Sequence, residues 1–318
     1  SLDTLDNSSE QSDALLVALA PRLLDALREK QVTGIFIMLN THDLDTCEVG
    51  KKMPGIYLRD LDPEARPSER NSDLLLERAS ATVVKELAIG TDKGWQPAFP
   101  YQGNTKGGIL RSVFQAAYKD GASLSAENYG RWTTNSYCLA GDDRNAIAYS
   151  LPLILPDGTV YGVVGVELLT DYLQTKLPFT ELGEDKAGTY FIVSTTDAQT
   201  ESVLTLRKTV TSGEDLVTAD APLGVLNCCS DGNGGNWAEL NGKRYYMVLE
   251  QLQLYNRNAP FAAEKWFLAG TMEQSVLLAF SDRVRKVLLA TLLVTLVLSV
   301  LGSLLVSARL ARPINHLY

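Results

Sequence analysis

Val287–Ala308 is a run of 22 residues without a charged side chain, and no other stretch of the sequence resembles it. At about 1.5 Å per residue it makes roughly 33 Å of helix, enough to cross a hydrocarbon core of about 30 Å. A soluble core helix of that length keeps a polar face, and this one has none, so a membrane span is expected. Gly302 and the scattered Thr and Ser residues fit, because small residues are common where membrane helices pack. About 286 residues precede the run and must fold in water. That is enough chain for one large or two modest domains.

Helix signals extend beyond the apolar run. Thr271-Met-Glu-Gln274 has the capping-box form, and neither Gly nor Pro interrupts Met272 to Leu301. One helix from Met272 to about Leu310 is predicted, close to 60 Å long at about 1.5 Å per residue. A rod of that kind transmits displacement, whereas an anchor needs no rigid connection.

A net charge of −9 and the lack of any Lys/Arg-rich run argue against a nucleic-acid surface. Cys47, Cys138, Cys228 and Cys229 lack zinc-site spacing. One disulfide is allowed outside the cell, and Cys228–Cys229 are either a strained vicinal bridge or two thiols. His42 and His316 are the two histidines, and G-x-S-x-G, H-E-x-x-H and P-loop patterns are absent. Thr41–Glu48 offers several acids but places Glu48 where a calcium loop needs Gly, so it reads as a solvated loop. No enzymatic activity, cofactor or metal is expected of these residues. The sequence starts at Ser1 without Met, ends in helix at Tyr318 and shows no signal peptide, and reads as cut from a longer protein. Basic residues flank the apolar run on both sides, so charge does not fix its orientation.

Residues 13–30 predict an amphipathic helix, kinked or restarted at Pro21, and Gly34–Leu39 a central strand. Residues 40–72 read as a long polar excursion. A helix is predicted over Asp73–Ile89, capped by Asn71 or Ser72 and stopped by Gly90, and another over Gly108–Lys119. Ala146–Leu155 and Val160–Leu169 form a hairpin about Pro156-Asp-Gly-Thr159, followed by a short helix, Asp171–Leu177, capped by Thr170. Further strands are predicted at Tyr190–Ser194, Val203–Val210, Trp237–Leu240, Lys243–Leu254 and Lys265–Thr271, with an Asn241-Gly242 turn.

Binding is better supported than catalysis. Asn128–Tyr137 is rich in aromatics, with Tyr129, Trp132 and Tyr137 around Arg131. Arg131 suits a ligand carboxylate held by a bidentate fork, or pairs with a surface acid. Trp132 and Tyr137 either wall a pocket or pack the loop on the sheet. Tyr149 and Glu167 lie on the hairpin strands. Glu167 interrupts an apolar run and is costly to bury without a partner such as a ligand amine, unless the strand has reached the rim.

Ile147-Ala-Tyr-Ser-Leu-Pro-Leu153 with Asp157-Gly-Thr-Val-Tyr-Gly-Val-Val-Gly-Val-Glu167 resembles a strand pair of the double Cache sensor modules of bacterial transmembrane receptors. Arg309-Leu-Ala-Arg-Pro-Ile314 is similar to the start of a HAMP linker. The resemblance implies an α+β chain with an N-terminal helix (1–31), a membrane-distal (32–177) and a membrane-proximal (178–271) PAS-like antiparallel-sheet Cache domain, a signalling and transmembrane helix (272–308, span 287–308) and a HAMP-like linker from 309. It implies a first membrane helix before Ser1, residues 1–286 outside the cytoplasmic membrane, a homodimer, and small-ligand sensing coupled to a kinase, cyclase or chemotaxis output. In amino-acid-binding members a strand Tyr matches Tyr149, and Glu167 stands in place of the Asp that holds the amine. Arg131-Trp132 puts the Trp one residue early against the family's Arg-x-Trp-Tyr. The ligand is therefore an amino acid or another small metabolite. The rival reading is an anchored extracellular enzyme or adhesion protein whose helix is a passive tether.

Overall fold

The computed structural model describes residues 9–40, 52–65, 71–100, 108–134, 136–139, 141, 143–177, 188–197, 200–205, 229–230, 236–240 and 243–314. The acidic loop at 41–48, the Asn241-Gly242 turn, Cys47 and Cys228 lie outside them. Cys138 is an exposed free thiol.

Helix α1 (Ser9–Lys30) runs through Pro21 and buries Leu16, Ala20, Leu23 and Leu27 at helical spacing. Those residues cover one face of a seven-stranded sheet. Its central strand β1 (Gly34–Leu39) pairs antiparallel with β3 (Gly55–Asp60) on one side and β9 (Val160–Leu169) on the other. Beyond β3 lie β4 (Leu74–Arg78) and β5 (Gly90–Gln96), and β4 and β5 run parallel. Beyond β9 lie β8 (Ala146–Ile154) and the short β7 (Arg131–Trp132). The minor strands β2 (Lys52–Met53) and β6 (Phe99–Pro100) pair with each other.

Side chains alternate across the pleat. Ile35, Ile37, Leu39, Ile56 and Leu58 pack under α1 together with Val83 of α2 (Ala81–Leu87). Phe36, Tyr57, Val163 and Ala148 face the other way, against Phe114 and Ala117 of α3 (Gly108–Lys119). Tyr118 of α3 is exposed and stacks on Phe114.

Two expectations fail between residues 40 and 90. The polar excursion contains β3, whose six residues are all buried. The helix predicted over Asp73–Ile89 is instead β4 followed by α2. Ser80 is the cap, its hydroxyl accepting from the Val83 amide at 3.2 Å. Leu74, Leu75 and Leu76 pair with Asp60, Arg59 and Leu58 of β3, and that long-range pairing overrides their helical propensity.

The second sheet holds six antiparallel strands in the order β11-β10-β15-β14-β13-β12. These are β10 (Gly188–Asp197), β11 (Thr200–Thr205), β12 (Cys229–Ser230), β13 (Asn236–Leu240), β14 (Lys243–Leu252) and β15 (Lys265–Glu273). A short helix α4 (Thr170–Lys176) follows β9; Leu169 is its cap residue, and the Thr170 hydroxyl donates to the Asn145 carbonyl instead. From β15 the chain passes directly into α5 (Gln274–Ile314). The helix starts two residues later than the capping pattern suggests. Thr271 is still paired with Thr189 across the strands, and its hydroxyl donates to the Thr189 carbonyl. Gln274–Ser307 is long and apolar enough to cross a membrane, and none of its apolar window is buried.

Ala88 ends α2 in the left-handed region, φ 52°, with its amide donating to the Val84 carbonyl. A Cβ is unfavourable in that conformation by about 1–2 kcal/mol. Ala88→Gly should therefore raise the stability of the full chain by up to about 1 kcal/mol, read as a higher urea midpoint. A lower midpoint would contradict the assigned cap.

Candidate functional site

The polar centre of the chain lies on the α3 side of the seven-stranded sheet. One cross-strand row runs Leu75, Arg59, Gly34, Glu167, Ala148. Arg59 on β3 and Glu167 on β9 are both fully buried and flank Gly34, which has no side chain to separate them. Arg59 reaches across β1, donating from Nε to Glu167 Oε1 at 2.6 Å and from Nη2 to Oε2 at 2.8 Å. A Cβ on Gly34 would lie 3.0 Å from Oε1 and 3.1 Å from the Glu167 Cβ, so glycine is what leaves room for the bridge.

Two phenols complete this centre. Tyr137 donates to Glu167 Oε2 at 3.1 Å, Tyr57 also donates to Oε2, and the two hydroxyls are 3.0 Å apart. Burial, then the neighbouring carboxylate charge, pushes both phenols well above their usual range, so they stay protonated donors. Burial works against the Arg59 charge, but the hydrogen bonds and charge of Glu167 outweigh it and hold the guanidinium firmly protonated. Around this group stand Phe36, tilted against Tyr57 at 5.2 Å, and Phe99, stacked on Tyr57 at 6.0 Å. Aromatic walls about a few convergent polar groups are the composition of a small-molecule site.

The network continues along the face. Arg59 Nη1 donates to Glu77 Oε1 at 3.1 Å, and Arg144 Nη2 donates to the same oxygen at 2.8 Å and also to Asp92. Arg78 donates to the carbonyls of Glu77 at 2.5 Å and Gly94 at 2.9 Å. Glu77 Oε2 is buried without a hydrogen-bond partner at contact distance. Burial first, and then Asp92, push the Glu77 carboxyl up to about 7 against Arg59 and Arg144.

The six residues expected at one site fall into separate places. Tyr137 and Glu167 come together. Tyr129 is buried further along the same layer, its hydroxyl donating to Asp120 and accepting from the Leu124 amide at 3.1 Å. Trp132 and Tyr149 lie across the sheet: Tyr149 pairs with Val166 and Ala148 with Glu167, and adjacent residues face opposite ways. Their rings are 5.3 Å apart, and Trp132 packs with Ile147, Trp266 and Tyr255.

Arg131 returns to the α3 side, where Nη1 donates to Ser112 Oγ at 2.8 Å. Its Nη2 is 2.5 Å from Glu264 Oε1, and the guanidinium lies over Phe261 at 4.8 Å. Glu264 immediately precedes β15. Next to it the Trp132 amide donates to the Tyr255 hydroxyl at 3.1 Å, so the segment between β14 and β15 grips the edge of the first sheet. The acid opposite Arg131 is thus a residue of this chain.

Sequence reasoning missed Arg59, Tyr57 and Glu77. The usable signal was the pattern Gly55-Ile-Tyr-Leu-Arg-Asp60, a strand-length run hidden between prolines.

No family model matches the sequence, and no curated protein matches it. Among solved structures, the chain is similar to the ligand-binding domain of the Pseudomonas aeruginosa PAO1 amino acid chemoreceptor PctB in complex with L-Arg. The identity is 14%, covering 90% of each chain, with a TM-score of 0.42. It is similar to the corresponding domain of PctC from the same organism in complex with GABA, at 16% identity, 83% and 87% coverage and TM-score 0.38. The periplasmic sensory domain of the Campylobacter jejuni chemoreceptor Tlp1 matches at 10% identity, 83% and 89% coverage and TM-score 0.40.

Removing one member of a buried ion pair leaves the other uncompensated. Arg59→Met should cost about 3–5 kcal/mol, whereas Arg59→Met combined with Glu167→Met should recover most of the loss. Urea midpoints of Arg59→Met, Glu167→Met and the double variant check this, and additive losses would show the pair is not coupled.

The Glu77 carboxyl titrates higher in the fold than its ordinary 4.5. Protonation therefore favours the folded state. The stabilisation is full below about pH 4.5 and is lost as pH rises through about 7, amounting to about 3 kcal/mol at most. Wild type should lose melting temperature from pH 5 to pH 8, and Glu77→Gln should flatten that loss. The groups facing Glu77 are Arg59, Arg78, Asp92 and Arg144. None is an ordinary titrator in that window, and an equal slope in the variant would assign the effect elsewhere.

Proposed function

We propose that this chain is the extracytoplasmic sensing and membrane-spanning part of a bacterial signalling receptor. A small molecule would bind between the seven-stranded sheet and α3, and the bound state would shift the second sheet and α5. The observation that carries the reading is the direct passage of β15 into α5. Strand Lys265–Glu273 gives way to a helix of 41 residues without an intervening loop. A passive tether requires no such connection. The Arg131–Glu264 pair supports it, because it ties the edge of the first sheet to the residue just before β15.

The resemblance of Ile147–Glu167 and Arg309–Ile314 to double Cache and HAMP segments adds the orientation, with residues 1–286 outside and 309 onward in the cytoplasm. A homodimer belongs to the same reading, since a helix transmits motion only relative to a second one. The ligand acts through its difference in affinity for two states, so the displacement it selects is two-state.

The test joins the chain, after Tyr318, to a histidine-kinase output in a bacterial membrane and screens metabolites. A compound that raises the melting temperature should also change the output. Glu264→Gln should keep most of the thermal shift and at least halve the change in output. Binding without any change in output would favour the passive tether.

A further inference from the structure

Glu167 is the acid at which the sequence suggests a ligand's amine, and the fold supplies a cation there from within. We propose that Arg59 determines specificity at this site, occupying the amine's position at Glu167. The ligand held between the sheet and α3 is then a neutral or anionic small molecule, not an α-amino acid gripped by its ammonium group. This rests on the small-molecule reading above and narrows it to a ligand class.

Acceptor capacity is the first reason. An ionised carboxylate offers about four lone-pair sites. Glu167 Oε2 receives three donors, Arg59 Nη2, Tyr57 and Tyr137, and Oε1 receives Arg59 Nε. An ammonium group at Oε2 would have to displace one of its three donors in a buried setting, leaving that donor unpaired at a cost of about 1–3 kcal/mol, and Oε1 lies against Gly34 beside Arg59 Nε.

Space is the second. The bridge crosses directly over Gly34, where even a methyl group would stand 3.0 Å from Glu167 Oε1. No ligand atom enters from the β1 side.

Charge is the third. The connected polar groups on and around this face are Arg59, Arg78 and Arg144 against Glu77, Asp92 and Glu167. Three cations balance three ionised acids, and a proton on Glu77 leaves the group positive. An incoming ammonium meets no excess negative charge, and its nearest neighbour would be the like-charged Arg59. A carboxylate or an uncharged polar group meets no such opposition.

The full chain in lipid nanodiscs tests this with matched ligand pairs: L-leucine against 4-methylpentanoate, L-phenylalanine against 3-phenylpropanoate, L-glutamate against glutarate. Calorimetric affinities and thermal shifts should show each desamino acid binding at least as tightly as its amino parent. An amino acid preferred by about tenfold or more, about 1.4 kcal/mol, would overturn the proposal while leaving the sensor reading intact.

A second arm needs no knowledge of the ligand. Millimolar methylguanidinium should raise the melting temperature of Arg59→Ala but not of wild type or of Arg59→Ala/Glu167→Ala. If Arg59→Ala does not fold unaided, refolding yield with and without methylguanidinium reads the same interaction. Absence of rescue overturns Arg59 as the occupant of a cation site. Rescue with no member of either ligand series bound supports that role for Arg59 and counts against the small-molecule reading.

Discussion

The Arg59–Glu167 bridge over Gly34 is the interaction around which the first sheet is arranged. Two long charged side chains are fully buried on strands that do not touch each other, and they meet only because the strand between them has no side chain at that rung. A buried pair of this kind is weak evidence for added stability, since desolvation offsets the attraction. Its effect is on register. A slip of β3 or β9 by one residue would turn Arg59 or Glu167 toward the α1 face, into Ile35, Ile37 and Leu58. Thr33 fixes the same rung from the backbone side. Its amide and hydroxyl both donate to the Glu167 carbonyl at 3.0 Å, and its hydroxyl also accepts from the Leu169 amide at 2.6 Å.

From that rung the polar groups spread toward β4 and β5 and the aromatic groups toward α3, so one face of the sheet carries both charge and aromatic surface. The other face is occupied by α1 and α2 and is largely apolar, with Arg28 of α1 paired to Asp60 and Asp73 at one end. This division gives the α3 side the only extensive buried polar network among the described residues of the first sheet. The contact with the second sheet is a separate feature at the β7 edge. There Arg131 and Trp132 meet Glu264, Phe261, Tyr255 and Trp266, the last of these on β15. The same strand that receives this contact continues as α5. Polar centre, sheet edge, β15 and helix thus form a continuous packed sequence of elements.

Legibility in the sequence followed the locality of the forces. The hairpin Ala146–Leu169, β1, α1, α3 and the long apolar helix were readable because short-range periodicity and turn residues specify them. Residues 55–60 and 74–78 were not. Their strands depend on pairing partners far along the chain, and prolines nearby suggested a loop. Glu167 was recognisable as a buried acid in need of a partner, but its partner Arg59 lies 108 positions away. Tyr149 and Trp132 were grouped with Glu167 by chemistry, and the pleat separates them, because Tyr149 is opposite Val166 and not Glu167.

By itself the sequence determined a mixed α+β chain ending in a helix long and apolar enough to span a bilayer, since a charge-free run of that length has no other comfortable solvent. It also marked Glu167 as an acid that, if buried, needs a partner, because a lone carboxylate in an apolar strand is too costly to bury. Only the tertiary structure decided what supplies that charge. Strand register brings Arg59 beside Glu167 across Gly34, and register is set by long-range pairing that no local pattern encodes.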